Sequence, residues 1–179
     1  GRKGETMTIR LSPSRIIESF RSTLGEGFVE GTVYERGTGL EKKPFRTLWI
    51  TIQKHFLLDA VRHIMSLEKY PHLAMITGSD RGDEVELLYH FTIYFGGSLE
   101  ELNMAIRFSL PKTHLYVPTV TDFIPGAVWA ERELQEMLGV NVSGIPDNRR
   151  LLLEGVVPEG VHPWRRDDTE LQKYLRVLP

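Results

Sequence analysis

The sequence predicts an α+β domain in which helices cover one face of a mixed or antiparallel sheet, followed by an extended C-terminal arm. Three observations carry this. Between Glu84 and Phe95, the residues Val85, Leu87, Tyr89, Phe91, Ile93 and Phe95 all fall on one parity, the period of a strand with one buried face. Other alternating runs flank it, joined by short segments rich in glycine and aspartate, which favours antiparallel neighbours. Two amphipathic segments precede these strands and a third follows, enough to cover one face. The expected division is a domain over 1–144 and an arm over 145–179.

In chain order, Ser12 is placed to cap a helix with Pro13 in its first position, and Ile16, Ile17, Phe20 and Leu24 give its apolar face before Gly25 and Gly27 end it. Phe28 to Tyr34 reads as a strand weakened by Gly31. Leu48, Ile50 and Ile52 alternate with Thr47, Trp49 and Thr51 in a second. Leu57, Ala60, Val61 and Ile64 return to helical spacing before Pro71. Strands are expected over Leu73 to Thr77 and Glu84 to Phe95, with Gly78 to Asp83 as the turn between them. Gly96-Gly97 turns the chain, and Met104, Ile106, Phe108 and Leu110 alternate once more. A helix follows from Pro125 to Gly139, loosely capped by Thr121 or Asp122, with Gly139 as its left-handed end. Its expected apolar stripe is Ala127, Ala130, Leu134, Met137 and Leu138, with Glu131, Arg132, Glu133 and Glu136 pointing away. A short helix is expected from Asp168 to Val177.

The 179 residues are 41% hydrophobic and 26% charged, with a net charge of −2, the balance of a globular chain with no strong attraction to polyanions. No apolar run approaches the roughly 20 residues that span a bilayer. The opening residues carry basic side chains with no apolar stretch behind them, so no secretory signal is expected there. With no cysteine, this chain holds no disulfide, no thiolate zinc site and no cysteine-ligated iron–sulfur cluster.

Charged groups concentrate near the C-terminus. Spacing alone favours reading Glu131-Arg132-Glu133 as a solvated run, because neighbours on a helix diverge by about 100° and do not clamp one ligand. The flanking Val128-Trp129-Ala130 and Leu138-Gly139-Val140 favour charge-paired docking. The pairs Arg149-Arg150 and Arg165-Arg166 suggest phosphate contacts, but residues 144–179 hold six basic and six acidic side chains, without the excess a polyanion binder needs. Arginine bound to carboxylates fits better, with Trp164 as an aromatic anchor. His162 stands alone as a structural residue rather than a base, and His55, His63, His72, His90 and His114 lack ligand spacing. No nucleophile elbow, dinucleotide fingerprint or phosphate loop occurs, so an enzyme using His162 with Glu131 or Glu133 is the weaker reading.

Three linked motifs identify a family. Thr119-Val120-Thr121-Asp122 leads into Pro125-Gly126-Ala127-Val128-Trp129-Ala130-Glu131-Arg132-Glu133, which ends at Glu136-Met137-Leu138-Gly139-Val140. Next come Pro146-Asp147-Asn148-Arg149-Arg150-Leu151-Leu152-Leu153 and His162-Pro163-Trp164-Arg165-Arg166-Asp167. In this order they resemble the peripheral C subunit of NADH-quinone oxidoreductase (complex I) and its counterpart in energy-converting nickel–iron hydrogenases. Ile145 stands where the respiratory proteins carry histidine, Val161 replaces glycine, Arg166 replaces lysine and Asp168 replaces an aromatic residue. These departures are closer to the membrane-bound hydrogenase and archaeal sulfur-reducing branch; the alternative is the C subunit of a respiratory NADH or ferredoxin-quinone oxidoreductase.

The resemblance implies a subunit with no cofactor of its own, packed on a catalytic large subunit and beside the iron–sulfur small subunit. The partners would carry iron–sulfur clusters and, in the hydrogenase branch, nickel–iron. It implies a peripheral position at the cytoplasmic face of the membrane, held through those partners, with the arm over the large subunit; the balanced charge of the tail already disfavours nucleic acid as a partner. The docking residues it implies are Glu131, Arg132, Glu133, Gly139, Pro146, Asp147, Arg149, Arg150, His162, Pro163, Trp164, Arg165, Arg166 and Asp167.

Overall fold

The computed structural model describes residues 10–38, 43–95, 101–153, 155 and 157–174. Helix α1 spans Pro13–Leu24, β1 Phe28–Thr38, β2 Lys43–Ile52, α2 Leu57–Leu67, β3 His72–Asp80, β4 Glu84–Ile93, β5 Leu102–Pro111, β6 Tyr116–Pro118, α3 Val128–Leu138 and β7 Asn141–Ser143. The five long strands form one mixed sheet in the order β1-β2-β5-β4-β3, in which β2 and β5 run parallel and every other pair antiparallel. This is the expected α+β class. Strands β6 and β7 make a small parallel pair beside it.

The alternation read from the sequence sets which face is covered. Val85, Leu87, Tyr89, Phe91 and Ile93 of β4 join Leu48, Ile50 and Ile52 of β2 and Met104, Ile106, Phe108 and Leu110 of β5 in one buried layer. Helix α1 buries Ile16, Ile17, Phe20 and Leu24, and α2 buries Leu57, Ala60, Val61 and Ile64, in the same core. Each such aliphatic side chain contributes on the order of 1.5–3 kcal/mol. Ser12 caps α1 as expected, its hydroxyl accepting from the Arg15 amide at 3.4 Å. Gly31, which weakens β1 by propensity, brings α1 close: a Cβ there would lie 2.6 Å from Ile17 Cγ2.

Several boundaries differ from the sequence reading. The β1–β2 hairpin is longer at both strands. Gly78 and Ser79 belong to β3, not to the turn, because α3 lies against the strand at Gly78; a Cβ there would sit 2.2 Å from Leu138 Cδ1. Strand β4 stops at Ile93, since Tyr94 turns to positive φ (62°) and its phenol accepts the Leu11 amide at 3.0 Å, sending Phe95 out to solvent. The Gly96-Gly97 turn lies outside the described residues. Helix α3 has neither Thr121 nor Asp122 as a cap; a 3₁₀ turn over Pro125–Ala127 leads into it. Among its described residues the tail forms a 3₁₀ turn over Glu170–Lys173, and residues 175–177 of the expected helix lie outside the described residues.

Candidate functional site

The family-like motifs converge on α3 and the segment after it. Glu131 is 0% exposed, and Arg132 and Glu136 are also buried, which corrects the expectation that these charges point to solvent. The reason is that α3 is covered twice, by the sheet on one side and by the arm on the other. Ala127, Glu131, Leu134 and Leu138 recur at i, i+4, i+7 and i+11, so Glu131 lies within the apolar stripe that meets the sheet. Glu133 remains half-buried.

Glu131 binds the turn that leads into its own helix. One carboxylate oxygen accepts the Val120 amide at 2.7 Å and the other the Thr119 hydroxyl at 2.6 Å. Thr119 Oγ1 in turn accepts the Thr121 amide at 3.1 Å and lies 2.7 Å from Thr121 Oγ1. If Thr119 donates to Glu131 and Thr121 donates to Thr119, every group in the cluster is satisfied with the carboxylate ionised. Burial nevertheless pushes the Glu131 carboxyl up, against the two hydrogen bonds that favour its charge.

The second charged face of α3 holds the arm. Arg132 donates through Nε to the Arg149 carbonyl at 2.6 Å and through Nη2 to the Arg150 carbonyl at 2.8 Å, and its Nη1 lies 3.3 Å from Asp147. Glu136 accepts three successive backbone amides, from Leu151, Leu152 and Leu153, at 3.3, 2.8 and 2.8 Å. Arg150 pairs with Glu136 at 3.4 Å and donates to the Val157 carbonyl. Burial works against ionised Glu136, but the three amides and Arg150 outweigh it and hold the carboxyl below its usual range. Gly139 is the left-handed end of α3 (φ 72°), and a Cβ on it would lie 2.7 Å from the His162 ring. His162 Nδ1 sits 3.0 Å from the Glu136 carbonyl.

A third contact ties the far end of the arm to the sheet. Asp80, nearly buried at the end of β3, accepts Lys112 Nζ at 2.7 Å and the Gly82 and Arg166 amides at 2.8 Å each. Lys112 also reaches Asp167 at 3.0 Å, which pairs with Arg165 at 2.6 Å, while Trp164 donates its amide to the Met137 carbonyl at 3.0 Å. Burial works to raise the Asp80 pKa, yet Lys112 and the two amides bring it down to about 2.

Of the fourteen residues singled out from the sequence, Glu131 and Arg132 are thus internal. Gly139, Asp147, Arg150, His162, Arg165 and Asp167 shape the arm, with Pro163 half-buried among them and Pro146 exposed. Arg149 pairs with Asp147 at 2.8 Å, its side chain largely exposed, and Arg166 is anchored by its amide with its side chain outward. Glu136, Asp80, Lys112 and Thr119 escaped sequence reading as site residues. Asp80 and Arg166 are 86 residues apart, and nothing local in the sequence links them. Exposed Trp129 (59%), Leu152 and Trp164 (46%) belong to this α3–arm unit, with the Arg132 guanidinium 5.2 Å from the Trp129 ring. On the opposite sheet face a shallow groove of about 570 Å³ runs over Thr32, Tyr34, Phe45, Trp49 and Arg107. Among the described residues no three His, Asp or Glu side chains gather as a metal site, and no helix is long and apolar enough to cross a membrane.

A one-sided α+β domain with a charged helix clasping its own C-terminal arm defines the class. Residues 50–174 match the family of the respiratory-chain NADH dehydrogenase 30 kDa subunit, and the chain belongs to that family. It is 30% identical over 121 residues to membrane-bound hydrogenase subunit beta of Pyrococcus furiosus, covering 68% of this chain and 69% of that one. Hydrogenase-4 component G of Escherichia coli is 31% identical over 130 residues, 71% of this chain. The C/D subunit of NADH-quinone oxidoreductase from Acinetobacter baylyi is 27% identical over 173 residues, 90% of this chain. The match spans only about a quarter of these two longer relatives, 23% and 27%. In fold, the chain is similar to one in the membrane-bound sulfane sulfur reductase, an archaeal respiratory membrane complex, with a TM-score of 0.67 at 21% identity over 93% of this chain and 92% of that one. The trypsin-resistant fragment (1–134) of Nqo5 matches with a TM-score of 0.56 at 22% identity over 75% of this chain and 97% of that one. The relatives are subunits of hydrogenase and complex I-like oxidoreductases.

Proposed function

We propose that this chain is a non-catalytic peripheral subunit of a membrane-bound redox complex of the energy-converting nickel–iron hydrogenase type. It sits on the catalytic large subunit and beside the small subunit that holds iron–sulfur clusters, at the cytoplasmic face. The observation that carries this reading is the likeness to a hydrogenase subunit beta across about two-thirds of both chains. The geometry supports it. Arg132 and Glu136 of α3 are bound inside the chain, which fixes the arm and leaves Trp129, Leu152 and Trp164 as large apolar anchors on a firm support, the kind of residue that dominates interfaces. Docking then runs through these three with Glu133, Arg149 and Arg166, while Glu131, Arg132 and Glu136 act from within. The likeness to the C/D subunit of NADH-quinone oxidoreductase over 90% of the chain favours the quinone-reducing branch as a second reading.

The test is extraction of native membranes containing the tagged chain, followed by mass spectrometry of what co-purifies. Co-purification with a large subunit bearing nickel-binding cysteine pairs supports the first reading, and a large subunit without them supports the second. Trp129→Ala combined with Trp164→Ala is expected to weaken retention of the partner about tenfold or more, while the loss of the Arg132–Trp129 contact lowers the melting temperature of the chain by only a few degrees. Recovery of the wild-type chain as a solitary monomer would sink both readings.

A further inference from the structure

We infer that a water molecule is bound inside the domain, bridging the Tyr89 phenol and the Glu131 carboxylate. Among the described residues, Tyr89 Oη is the one buried side-chain oxygen or nitrogen without a hydrogen-bond partner. Tyr89 is fully buried in the middle of β4, paired across the sheet with Ile76 and Ile106 and stacked on Phe108 at 5.8 Å. A phenol enclosed that way carries the full cost of desolvation unless something accepts from it or donates to it.

The path of α3 indicates what lies beyond the ring. Leu134 and Leu138 pack on Gly78, which pairs with Leu87 of β4. One turn up the helix from Leu134 is Glu131, and two residues along the strand from Leu87, on the same face, is Tyr89. The two side chains therefore approach each other above the sheet. Burial, and after it the Glu131 charge, push the Tyr89 phenol up, yet no hydrogen bond joins the two groups. Glu131 has used one lone pair on each oxygen, for Val120 and for Thr119, and no cation is paired with it among the described residues. A carboxylate can accept about four bonds, so Glu131 has room for further donors. A single water answers both needs, donating to the carboxylate and accepting from the phenol, and buried waters occupy polar sites with two to four such partners.

The reading makes opposite predictions for one near-isosteric change. If the phenol were an orphan, Tyr89→Phe would remove an unmet polar group and raise the melting temperature of the full chain. With the water present, the change removes one of its partners, and the melting temperature is expected to fall by about 2–6 °C. A structure of the full chain or its complex at a resolution that shows ordered water is expected to place density within hydrogen-bond distance of both Tyr89 Oη and a Glu131 oxygen, and to lose it in Tyr89→Phe. A higher melting temperature for Tyr89→Phe, a direct phenol–carboxylate bond, or an empty site overturns the inference.

Discussion

Glu131 and Glu136 on α3 do different work, and the difference comes from what each faces. Glu136 faces the arm and gathers the amides of Leu151, Leu152 and Leu153. Bonds to an ionised acceptor contribute more than neutral ones, about 1.5–3 kcal/mol each at most and less when shared. Glu136→Ala is therefore expected to destabilise the chain by about 2–4 kcal/mol in urea unfolding and to speed hydrogen exchange at those three amides. Unchanged exchange there would show that the arm is held by other contacts. Glu131 was open to discovery from sequence, because its spacing to Ala127, Leu134 and Leu138 puts it on the apolar stripe. Composition hid it, since a charged triplet reads as solvated. Glu136 was not open to it: the amides it binds come from an irregular segment with no period to read.

Between elements, close backbone approach decides geometry. Gly78 lets the end of α3 settle on β3, so Gly78→Ala brings a methyl against buried Leu138. Overpacking of this kind costs about 1–3 kcal/mol, and a lower melting temperature is the expected reading. The clasp between β3 and the arm depends on pH through Asp80. Its folded pKa, about 2, lies below the ordinary aspartate value near 4. Its contribution is thus complete above about pH 4 and is lost as pH falls towards 2. Asp80→Asn is expected to lower stability at pH 7 and to approach the wild type as both are acidified; a gap that stays constant from pH 7 to 2 would rule the clasp out as a source of that stability. Helix α1, its cap and the alternation of β2, β4 and β5 were legible because local period and capping chemistry determine them. The length of β3 was not, because Gly78 serves a partner that lies some sixty residues further along the chain.

Across the described residues, α1, α2 and α3 lie on one face of the sheet, and the other presents threonines, Tyr34, Trp49 and Arg107. The class of fold could be read from the strand count and the short turns. The strand order could not, since no local signal says that β5 enters between β2 and β4. Within the chain the arm is held by α3 and β3, and its outer side is the surface proposed to meet another subunit. The tryptophan double variant described above separates the two roles at this scale, because it removes anchors while leaving the donors and acceptors of those internal bonds in place.

The position of β5 also sets an order of events during synthesis. The β1–β2 and β3–β4 hairpins leave the ribosome first, each with one bare edge waiting for the strand that will join them. Until Pro111 has emerged, the nascent polypeptide is two unfinished halves with apolar surface showing, the state most prone to mispairing. A message truncated before that codon would yield sticky fragments rather than a smaller domain.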